Sequence, residues 1–379
     1  MNPYIFREYD IRGIVKKDLK DQDVYLIGRA FATYINKMGA QNIAISGDIR
    51  DSTPAIKKSF TNGMLDSGVN VLDIGIVPTP ANYYSMYKLQ IDGAVQITGS
   101  HNPPEFNGIK LSFNKRPFYG QDIQNLFKII KEQSFINGNG ILEKENILDK
   151  YHLMLKNKIN ISRPLKVVMD CANASACLSA PQLFLELGIE VKELFCKVDN
   201  TFPNHHPDPT EDHNLRIMIN EIKKENFDFG VAFDGDADRI VAIDELGNII
   251  RSDILMTLFL PDIIKNNDKI VFDVKCSKAL IDMITHYNGS PVMWKTGHSL
   301  IKDKMKELNS PFGGEMSGHI FFSDNYFGYD DAIYVALRLA ELISKSDKTL
   351  SELTDKIPKY YSTPEIRIEC KNDKEKFEI

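Results

Sequence analysis

A strand–helix–strand unit occurs three times along the 379-residue chain, and this repetition constrains the fold more than any other feature. The units begin at residues 42, 166 and 269, and each opens with a β-branched apolar run that reaches an aspartate. These aspartates are Asp48, Asp170 and Asp273. A polar loop, a segment of helical period and a second extended run then follow, as in the parallel crossovers of α/β proteins. The sequence therefore predicts related α/β domains in series.

Residues at fixed places in each unit predict where its helix begins and ends. The expected N-caps are Ser52, Ser175 and Ser277. The expected C-terminal glycines are Gly68, Gly188 and Gly289. Polar stretches near 137–150 and after Asp244 read as linkers, which predicts domains over 1–145, 146–246 and 247–358.

Composition restricts the class of protein. Hydrophobic residues make up 43% and charged residues 26%, which is typical of a soluble globular protein. The net charge of -6 argues against a nucleic-acid partner, which usually requires a basic surface. The apolar stretch at 254–264 is shorter than the ~20 residues of a membrane span, and charges occupy the N-terminus where a signal peptide is apolar. The five cysteines form no C-x-x-C pair, so we expect a cytoplasmic protein without a membrane partner.

The loop "DGDADR" carries the strongest chemical signal. Asp234, Asp236 and Asp238 stand at two-residue spacing between two apolar runs. Carboxylates this close repel one another unless a cation lies among them, and hard oxygen ligands suit Mg²⁺ or Ca²⁺. An EF-hand is excluded because Arg239 stands where that loop needs glycine and because strands flank the segment. A solvated acidic turn is the simpler alternative, but such a turn does not need three adjacent carboxylates.

The stretch "TGSHNPP" at 98–104 follows the apolar run at 94–97. A buried strand that ends in such a turn places small polar side chains at the rim of a sheet, where ligands bind in open α/β folds. A turn without chemistry is the alternative. Arg239 beside a metal site favours a dianion between them, and Ser100 is a candidate to carry a phosphoryl group. His101 and Lys110 would add donors for proton transfer.

The segment "GGEMSGH" at 313–319 offers a carboxylate, a hydroxyl and an imidazole. Glu315, Ser317 and His319 alternate with small residues, so in an extended segment their side chains would point one way. A carboxylate with a hydroxyl is suited to binding sugar hydroxyls. His298 in "KTGHS" fits a core or capping role as well as acid–base chemistry.

Taken in order, these motifs resemble those of the α-D-phosphohexomutase family. The resemblance covers essentially the whole chain and is carried by "FREYDIRG", "GDIRDST", "TGSHNPPEFNGIK", "DGDADR", "DVKCS" and "GGEMSGH". It implies α/β domains with mixed sheets around a central cleft. It also implies a mutase that interconverts hexose 6-phosphates and hexose 1-phosphates of mannose or glucose. The reaction would pass through a phosphoserine and a hexose 1,6-bisphosphate, which would also serve as activator.

The resemblance further assigns roles to individual residues. It implies that Ser100 carries the phosphoryl group. The implied Mg²⁺ ligands are Ser100, Asp234, Asp236 and Asp238. The other residues implied to act in proton transfer or charge stabilisation are Arg12, His101, Lys110, Arg239 and His298. The implied substrate contacts are Tyr9, Lys275, Glu315, Ser317 and His319.

One departure from the family pattern concerns the C-terminus. The family has a fourth domain with an R-x-S-N-T loop that has no counterpart in this sequence, so we expect 359–379 to be the remnant of a truncated domain and the activity to be impaired. The expected partners are hexose phosphates, and the expected state is a monomer or weak homo-oligomer. Three alternatives stay open: a phosphoglucosamine mutase, a metal-dependent phosphatase and a non-catalytic phosphosugar-binding protein.

Overall fold

The computed structural model describes residues 1–361. These residues form three α/β units, each built on its own mixed sheet, and this confirms the fold class expected from the repeats. The expectation of a remnant domain at 359–379 falls almost entirely outside the described residues.

The first unit contains a seven-stranded sheet. Its strands are β1 (Ile11–Ile14), β2 (Asn42–Gly47), β3 (Asn70–Ile76), β4 (Gly93–Ile97), β5 (Phe106–Phe113), β6 (Arg116–Pro117) and β7 (Leu142–Lys144). Its helices are α1 (Asp21–Asn36), α2 (Thr53–Leu65), α3 (Thr79–Lys88) and α4 (Gln121–Glu132). The strand order is β1-β5-β4-β2-β3-β7, with β6 paired to β5. Strands β4, β2, β3 and β7 run parallel, whereas β5 is antiparallel to both of its main neighbours.

The second unit contains a five-stranded sheet in the order β12-β11-β10-β8-β9. Its strands are β8 (Lys166–Asp170), β9 (Glu190–Leu194), β10 (Phe229–Phe233), β11 (Ile240–Asp244) and β12 (Ile249–Ile250). Its helices are α5 (Leu148–Lys156), α6 (Ala180–Glu186) and α7 (Arg216–Ile222). Strand β12 lies beyond the boundary expected at 246, because a tight turn returns the chain to pair with β11.

The third unit contains a four-stranded sheet in the order β14-β13-β15-β16. Its strands are β13 (Lys269–Asp273), β14 (Ser290–Trp294), β15 (Phe312–Gly314) and β16 (Ile320–Phe322). Its helices are α8 (Ser252–Ile263), α9 (Lys278–His286), α10 (His298–Leu308), α11 (Ala332–Lys345) and α12 (Leu350–Thr354). None of the helices in residues 1–361 combines the length and the apolar character that a membrane crossing requires.

The helix boundaries follow the sequence expectations only in part. Ser277 caps α9 through its side chain, which accepts a hydrogen bond from the Ala279 amide. Ser52 precedes α2 without such a bond, because its hydroxyl accepts one from Asn107 in β5 instead. Ser175 opens a short 3-10 turn, and α6 begins only at Ala180. Ser52 therefore occupies the expected cap position without capping through its side chain, and only the cap expected at Ser175 is displaced.

A buried polar cluster joins the second and third units. Asp331 caps α11, and its carboxylate accepts hydrogen bonds from the hydroxyls of Tyr151 in α5 at 2.8 Å and Tyr326 at 2.6 Å. Burial of this group raises the pKa of Asp331 to about 6. An ordinary aspartate has a pKa of ~3.9. At pH values between these two pKa values, the folded protein therefore holds a proton on Asp331 that the unfolded chain has released.

We expect the contribution of Asp331 to stability to depend on pH. It is fully present below the pKa of the unfolded chain and is lost as the pH rises through about 6. Relative to Asp331→Asn, the parent should lose about 2 kcal/mol of stability between pH 4 and pH 7. Paired thermal unfolding measurements across this range provide the test. Asp347→Asn, at an exposed aspartate, is the control and should follow the parent. A parent and an Asp331→Asn variant whose stabilities change in parallel with pH would contradict the assignment.

Candidate active site

A cavity of about 290 Å³ lies where the first and third units meet the loop between β10 and β11 of the second. It is lined by Tyr4, Arg7, Glu8, Tyr9, Asp10, Arg12, Ser100, Lys110, Arg239, His298 and His319. Its volume is near the lower end of the ~300–1,000 Å³ typical of ligand pockets. Many of the residues singled out in the sequence therefore meet around one space, although they come from distant parts of the chain.

A larger cavity of about 510 Å³ lies between α10 and the β5–β6 hairpin. Lys302, Tyr87 and Phe327 are among the residues that line it. The sequence motifs contribute none of the lining residues described for this second cavity, so we place the chemistry in the smaller one.

Ser100 lies at the carboxyl end of β4, at the rim of the first sheet, as the sequence predicts. Its φ of 49° is in the left-handed region, which is uncommon for a residue with a side chain and costs energy that the surrounding loop must offset. Its Oγ lies 3.2 Å from Oδ2 of Asp234 and 3.0 Å from Nδ1 of His101. Ser100 therefore presents its hydroxyl to a carboxylate of the second unit.

The three aspartates of the loop between β10 and β11 are fully buried, which excludes a solvated acidic turn. One carboxylate oxygen from each lies within 4.8 Å of the others. Oδ1 of Asp236 and Oδ1 of Asp238 are buried and accept no hydrogen bond from any residue among 1–361. Burial and the two neighbouring carboxylates raise the pKa of Asp234 well above its usual value. Carboxylate oxygens without hydrogen-bond donors, in a region of concentrated negative charge, are suited to binding a hard divalent cation.

Two cations already face this acidic cluster. Lys110, in β5, places its Nζ 2.6 Å from Oδ2 of Asp236 and 2.5 Å from Oδ2 of Asp238. Despite its burial, these carboxylates raise the pKa of Lys110 well above its usual value. Despite its burial, the carboxylates of Asp234 and Asp238 raise the pKa of Arg239, whose backbone amide donates to Asp234. Lys110 therefore contacts the aspartates as well as the cavity, a pairing that the sequence did not indicate.

The loop between β10 and β11 touches the loop that carries Ser100, which we call the serine loop, at Gly235. A Cβ atom at this position would lie 2.2 Å from the carbonyl oxygen of Ser100, which no real side chain tolerates. Only glycine therefore allows the two backbones to approach closely enough to bring Ser100 to the aspartates.

Two histidines stack on the side of the cavity formed by the third unit. The rings of His298 and His319 are 5.1 Å apart and inclined by 23°. Nε of Arg239 donates to Nε2 of His319 at 3.0 Å, so Nδ1 carries the proton and faces Oδ2 of Asp330 at 2.9 Å. Burial and the nearby Lys302 lower the pKa of His298 well below its usual value. His298 therefore offers a neutral imidazole to the cavity, whereas Nε2 of His319 is occupied by Arg239.

Asp330 was not identified from the sequence. It is fully buried, and it pairs with Lys302 at 2.7 Å as well as with His319. The only sequence signal is the pair of aspartates that precedes α11, and a helix cap explains such a pair equally well. The N-terminal residues Tyr4, Arg7, Glu8 and Asp10 were also missed, although they surround the two cavity residues predicted within "FREYDIRG".

The segment at 313–319 forms a tight turn, and the prediction that it is extended is wrong. The amide of Glu315 donates to the carbonyl of His319 at 2.8 Å, and the amide of Gly318 donates back to Glu315 at 3.1 Å. The turn closes the hairpin of β15 and β16 and sends its side chains in different directions. His319 reaches the cavity, whereas Glu315 is buried behind it and Ser317 is half-buried outside its lining.

Two further predicted substrate contacts also differ in their placement. Tyr9 lines the cavity with its ring, but its hydroxyl donates to the carbonyl of Thr296 at 2.8 Å. The amide of the neighbouring Gly297 donates to Oε1 of Glu315 at 2.5 Å. Lys275 lies exposed in the turn after β13, outside the cavity lining. Tyr9 and Glu315 thus hold the loop before α10 from two sides.

The remaining predicted residues lie close to Ser100. His101 packs behind the serine and outside the cavity lining, and burial together with Arg239 lowers its pKa well below the usual value. Arg12 faces the cavity and forms an ion pair with Asp10. The neutral His101 ring can accept a proton from the Ser100 hydroxyl.

Comparison with known proteins agrees with this architecture. Three family models match the chain: phosphoglucomutase/phosphomannomutase α/β/α domain I over residues 3–137, domain II over 149–247 and domain III over 251–361. A phosphomannomutase/phosphoglucomutase of Pseudomonas aeruginosa is 44% identical over 371 residues, which are 97% of this chain and 80% of the relative. A phosphoglucomutase of Neisseria meningitidis is 42% identical over 368 residues, which are 96% and 80%.

A solved structure extends the similarity to three dimensions. The crystal structure of a phosphoglucomutase/phosphomannomutase family protein from Burkholderia thailandensis matches with a TM-score of 0.93 at 38% identity, over 96% of this chain and 81% of that one. With three family domains matched in succession and relatives at 44% and 42% identity over most of its length, the chain belongs to the phosphoglucomutase/phosphomannomutase family of α-D-phosphohexomutases.

Proposed function

We propose that this protein is a hexose-phosphate mutase that interconverts the 6-phosphates and 1-phosphates of mannose and glucose, with Ser100 as the phosphoryl carrier. The observation that carries the proposal is the position of Ser100 Oγ, which lines the cavity and lies 3.2 Å from Asp234 in the acidic cluster. Membership of the family supports the reaction class, and the names of the relatives support mannose and glucose over glucosamine.

Each unit supplies one part of the site in this proposal. Residues 1–145 carry the phosphoserine, 146–246 hold the metal and 247–358 bind the sugar, with β12 structurally part of the second sheet. Tyr9 and His319 are the proposed sugar contacts that line the cavity. Lys275, Glu315 and Ser317 lie outside that lining, and for Glu315 we propose an indirect role through the Gly297 amide.

Asp234, Asp236 and Asp238, together with an oxygen on Ser100, are the residues that would hold Mg²⁺. The bound ion would offset the negative charge of the phosphoryl group during its transfer. The preference for Mg²⁺ rests on the all-oxygen donor set, which suits a hard cation.

The proposed reaction transfers a phosphoryl group twice. The free hydroxyl of a hexose monophosphate attacks the phosphorus of phospho-Ser100, so that a phosphorus–oxygen bond to the sugar forms while the bond to Oγ breaks. A neutral histidine of the cavity accepts the hydroxyl proton, for which His298 is placed. The resulting hexose 1,6-bisphosphate turns over and returns its other phosphoryl group to Ser100, with the histidine's proton going to the product hydroxyl.

Fixed positive charge stabilises the transferring group in this mechanism. Arg239, Lys110 and Arg12 line the cavity, and the first two also contact the aspartates. Aligned charges in a buried site supply most of the rate enhancement in phosphoryl transfer. We also propose hexose 1,6-bisphosphate as the activator, because it can transfer a phosphoryl group to an unmodified Ser100.

The function is tested by a coupled assay with mannose 1-phosphate and glucose 1-phosphate in the presence of Mg²⁺ and trace glucose 1,6-bisphosphate. Formation of the 6-phosphates supports the proposal. Release of inorganic phosphate at the same rate as substrate loss would identify a phosphatase instead.

We expect Ser100→Ala to abolish covalent phosphorylation of the protein. Intact mass measured after incubation with glucose 1,6-bisphosphate should show one phosphate on the parent and none on the variant, because alanine lacks the accepting oxygen. Ser323→Ala, at an exposed serine, is the control and should be phosphorylated like the parent. A phosphate that persists in Ser100→Ala would remove this residue from the mechanism.

We expect Asp236→Asn to weaken Mg²⁺ binding by at least about tenfold, which corresponds to ~1.4 kcal/mol. The change preserves volume but removes a negative charge from the donor set. Titration calorimetry with Mg²⁺ measures the affinity, and thermal unfolding verifies that the variant is folded. Asp282→Asn, on the surface of α9, is the control and should bind Mg²⁺ like the parent. Unchanged affinity in a folded Asp236→Asn would place the ion elsewhere.

A further inference from the structure

We infer that Arg50 is a positioning residue for phosphoryl transfer, because its guanidinium fixes the backbone of the loop that carries Ser100. The inference rests on the proposed function, in which Ser100 is the phosphoryl carrier. Arg50 follows β2 and is almost completely buried, with 3% of its surface exposed. Its side chain does not line the cavity, so it does not contact a bound ligand directly and acts on Ser100 through the loop.

The guanidinium of Arg50 donates to four backbone carbonyls of one loop. Nη1 contacts the carbonyls of Pro103 at 2.7 Å and Phe106 at 3.0 Å. Nη2 contacts the carbonyls of Ser100 at 2.8 Å and Asn102 at 2.6 Å. One planar cation thus binds the backbone over the whole turn from the end of β4 to the start of β5.

Asp48 holds Arg50 in place and reaches the same loop. Its Oδ2 accepts from Nε of Arg50 at 3.2 Å and from the amide of Gly99 at 3.0 Å. Its Oδ1 accepts from the hydroxyl of Thr53 at the start of α2 at 2.6 Å. The ion pair is therefore fixed to a helix on one side and to the serine loop on the other.

The contacts require an arginine at this position. Lysine offers a single nitrogen, which cannot reach four divergent carbonyls and Asp48 together, whereas the five N–H groups of arginine form a rigid fork. The loop is also shaped to receive this fork, because a Cβ atom on Gly99 would lie 2.4 Å from Cζ of Arg50. The charge alone does not explain so close a fit.

The consequence for Ser100 is both steric and electrostatic. Arg50 holds the Ser100 carbonyl, while the left-handed φ of 49° turns Oγ towards Asp234. Because four carbonyls point their oxygens at Arg50, their negative ends face away from the phosphoryl group that the loop would carry. Arg50 therefore offsets the strain at Ser100 and directs repulsive dipoles away from the reacting group.

The experiment compares Arg50→Lys with Arg29→Lys in the full chain. Arg29 is the matched control, since it also ties distant segments together through Ser67, Ile136 and Asn137 but does not contact the serine loop. Two quantities are measured well below the unfolding temperature of each variant. They are the rate of Ser100 phosphorylation by glucose 1,6-bisphosphate and the hydrogen exchange of peptides that cover 98–107.

We expect Arg50→Lys to phosphorylate Ser100 about a hundredfold more slowly than the parent, because a misplaced nucleophile loses the benefit of alignment. The concentration of bisphosphate that gives half the maximal rate should change little, since Arg50 itself does not line the cavity. Hydrogen exchange at 98–107 should accelerate in this variant only. A parent-like rate or parent-like exchange in Arg50→Lys would overturn the inference, as would an equal slowing in Arg29→Lys.

Gly99→Ala is the second variant in case Arg50→Lys does not fold. The added methyl group would displace the guanidinium, and we expect the same slow phosphorylation and fast exchange. If the parent itself accepts no phosphoryl group, the proposed function fails and hydrogen exchange alone decides. Faster exchange at 98–107 would then support the anchoring by Arg50, and unchanged exchange would refute it.

Discussion

Three buried carboxylates that cannot all be ionised without a partner are the constraint on which the site depends. Asp234, Asp236 and Asp238 are held on the short connection between two central strands, so they cannot move apart. Lys110 supplies part of the missing positive charge from the first unit, and a cation would supply the rest. The ion pairs of Lys110 therefore join the first and second units at the point where Ser100 lies beside Asp234.

The same region shows how rigidity is built in layers. The aspartates contact Ser100 directly, and behind the serine the Asp48–Arg50 pair holds the loop backbone. Behind His319, Asp330 fixes the protonated nitrogen and is itself paired with Lys302. In each case a buried ion pair orients a group that faces the cavity, and the two charges of the pair neutralise each other.

The sequence predicts those features of this protein that depend only on residues close together in the chain. Each repeat places a polar loop after a strand, so Ser100 and the aspartate triad could be assigned to sheet rims from their neighbours alone. Glu315 and Ser317 show the limit, because alternation predicts their direction only if the segment is extended, and a hairpin turn forms instead. Asp330 and Arg50 act through partners far away in sequence, and no local pattern reports such contacts.

The hydrogen bond from Tyr9 to the Thr296 carbonyl crosses from the first unit to the third at the edge of the cavity. A neutral hydrogen bond of this kind contributes on the order of 1 kcal/mol, so thermal motion opens it readily. In the proposed reaction a sugar bisphosphate would reorient in the cavity of about 290 Å³ that lies beside this bond. Tyr119 of the first unit also donates to Asp303 in α10 of the third at 2.7 Å, so the cleft can widen only where several such contacts break together, whereas the ion pair between Lys110 and the aspartates lies between the first and second units.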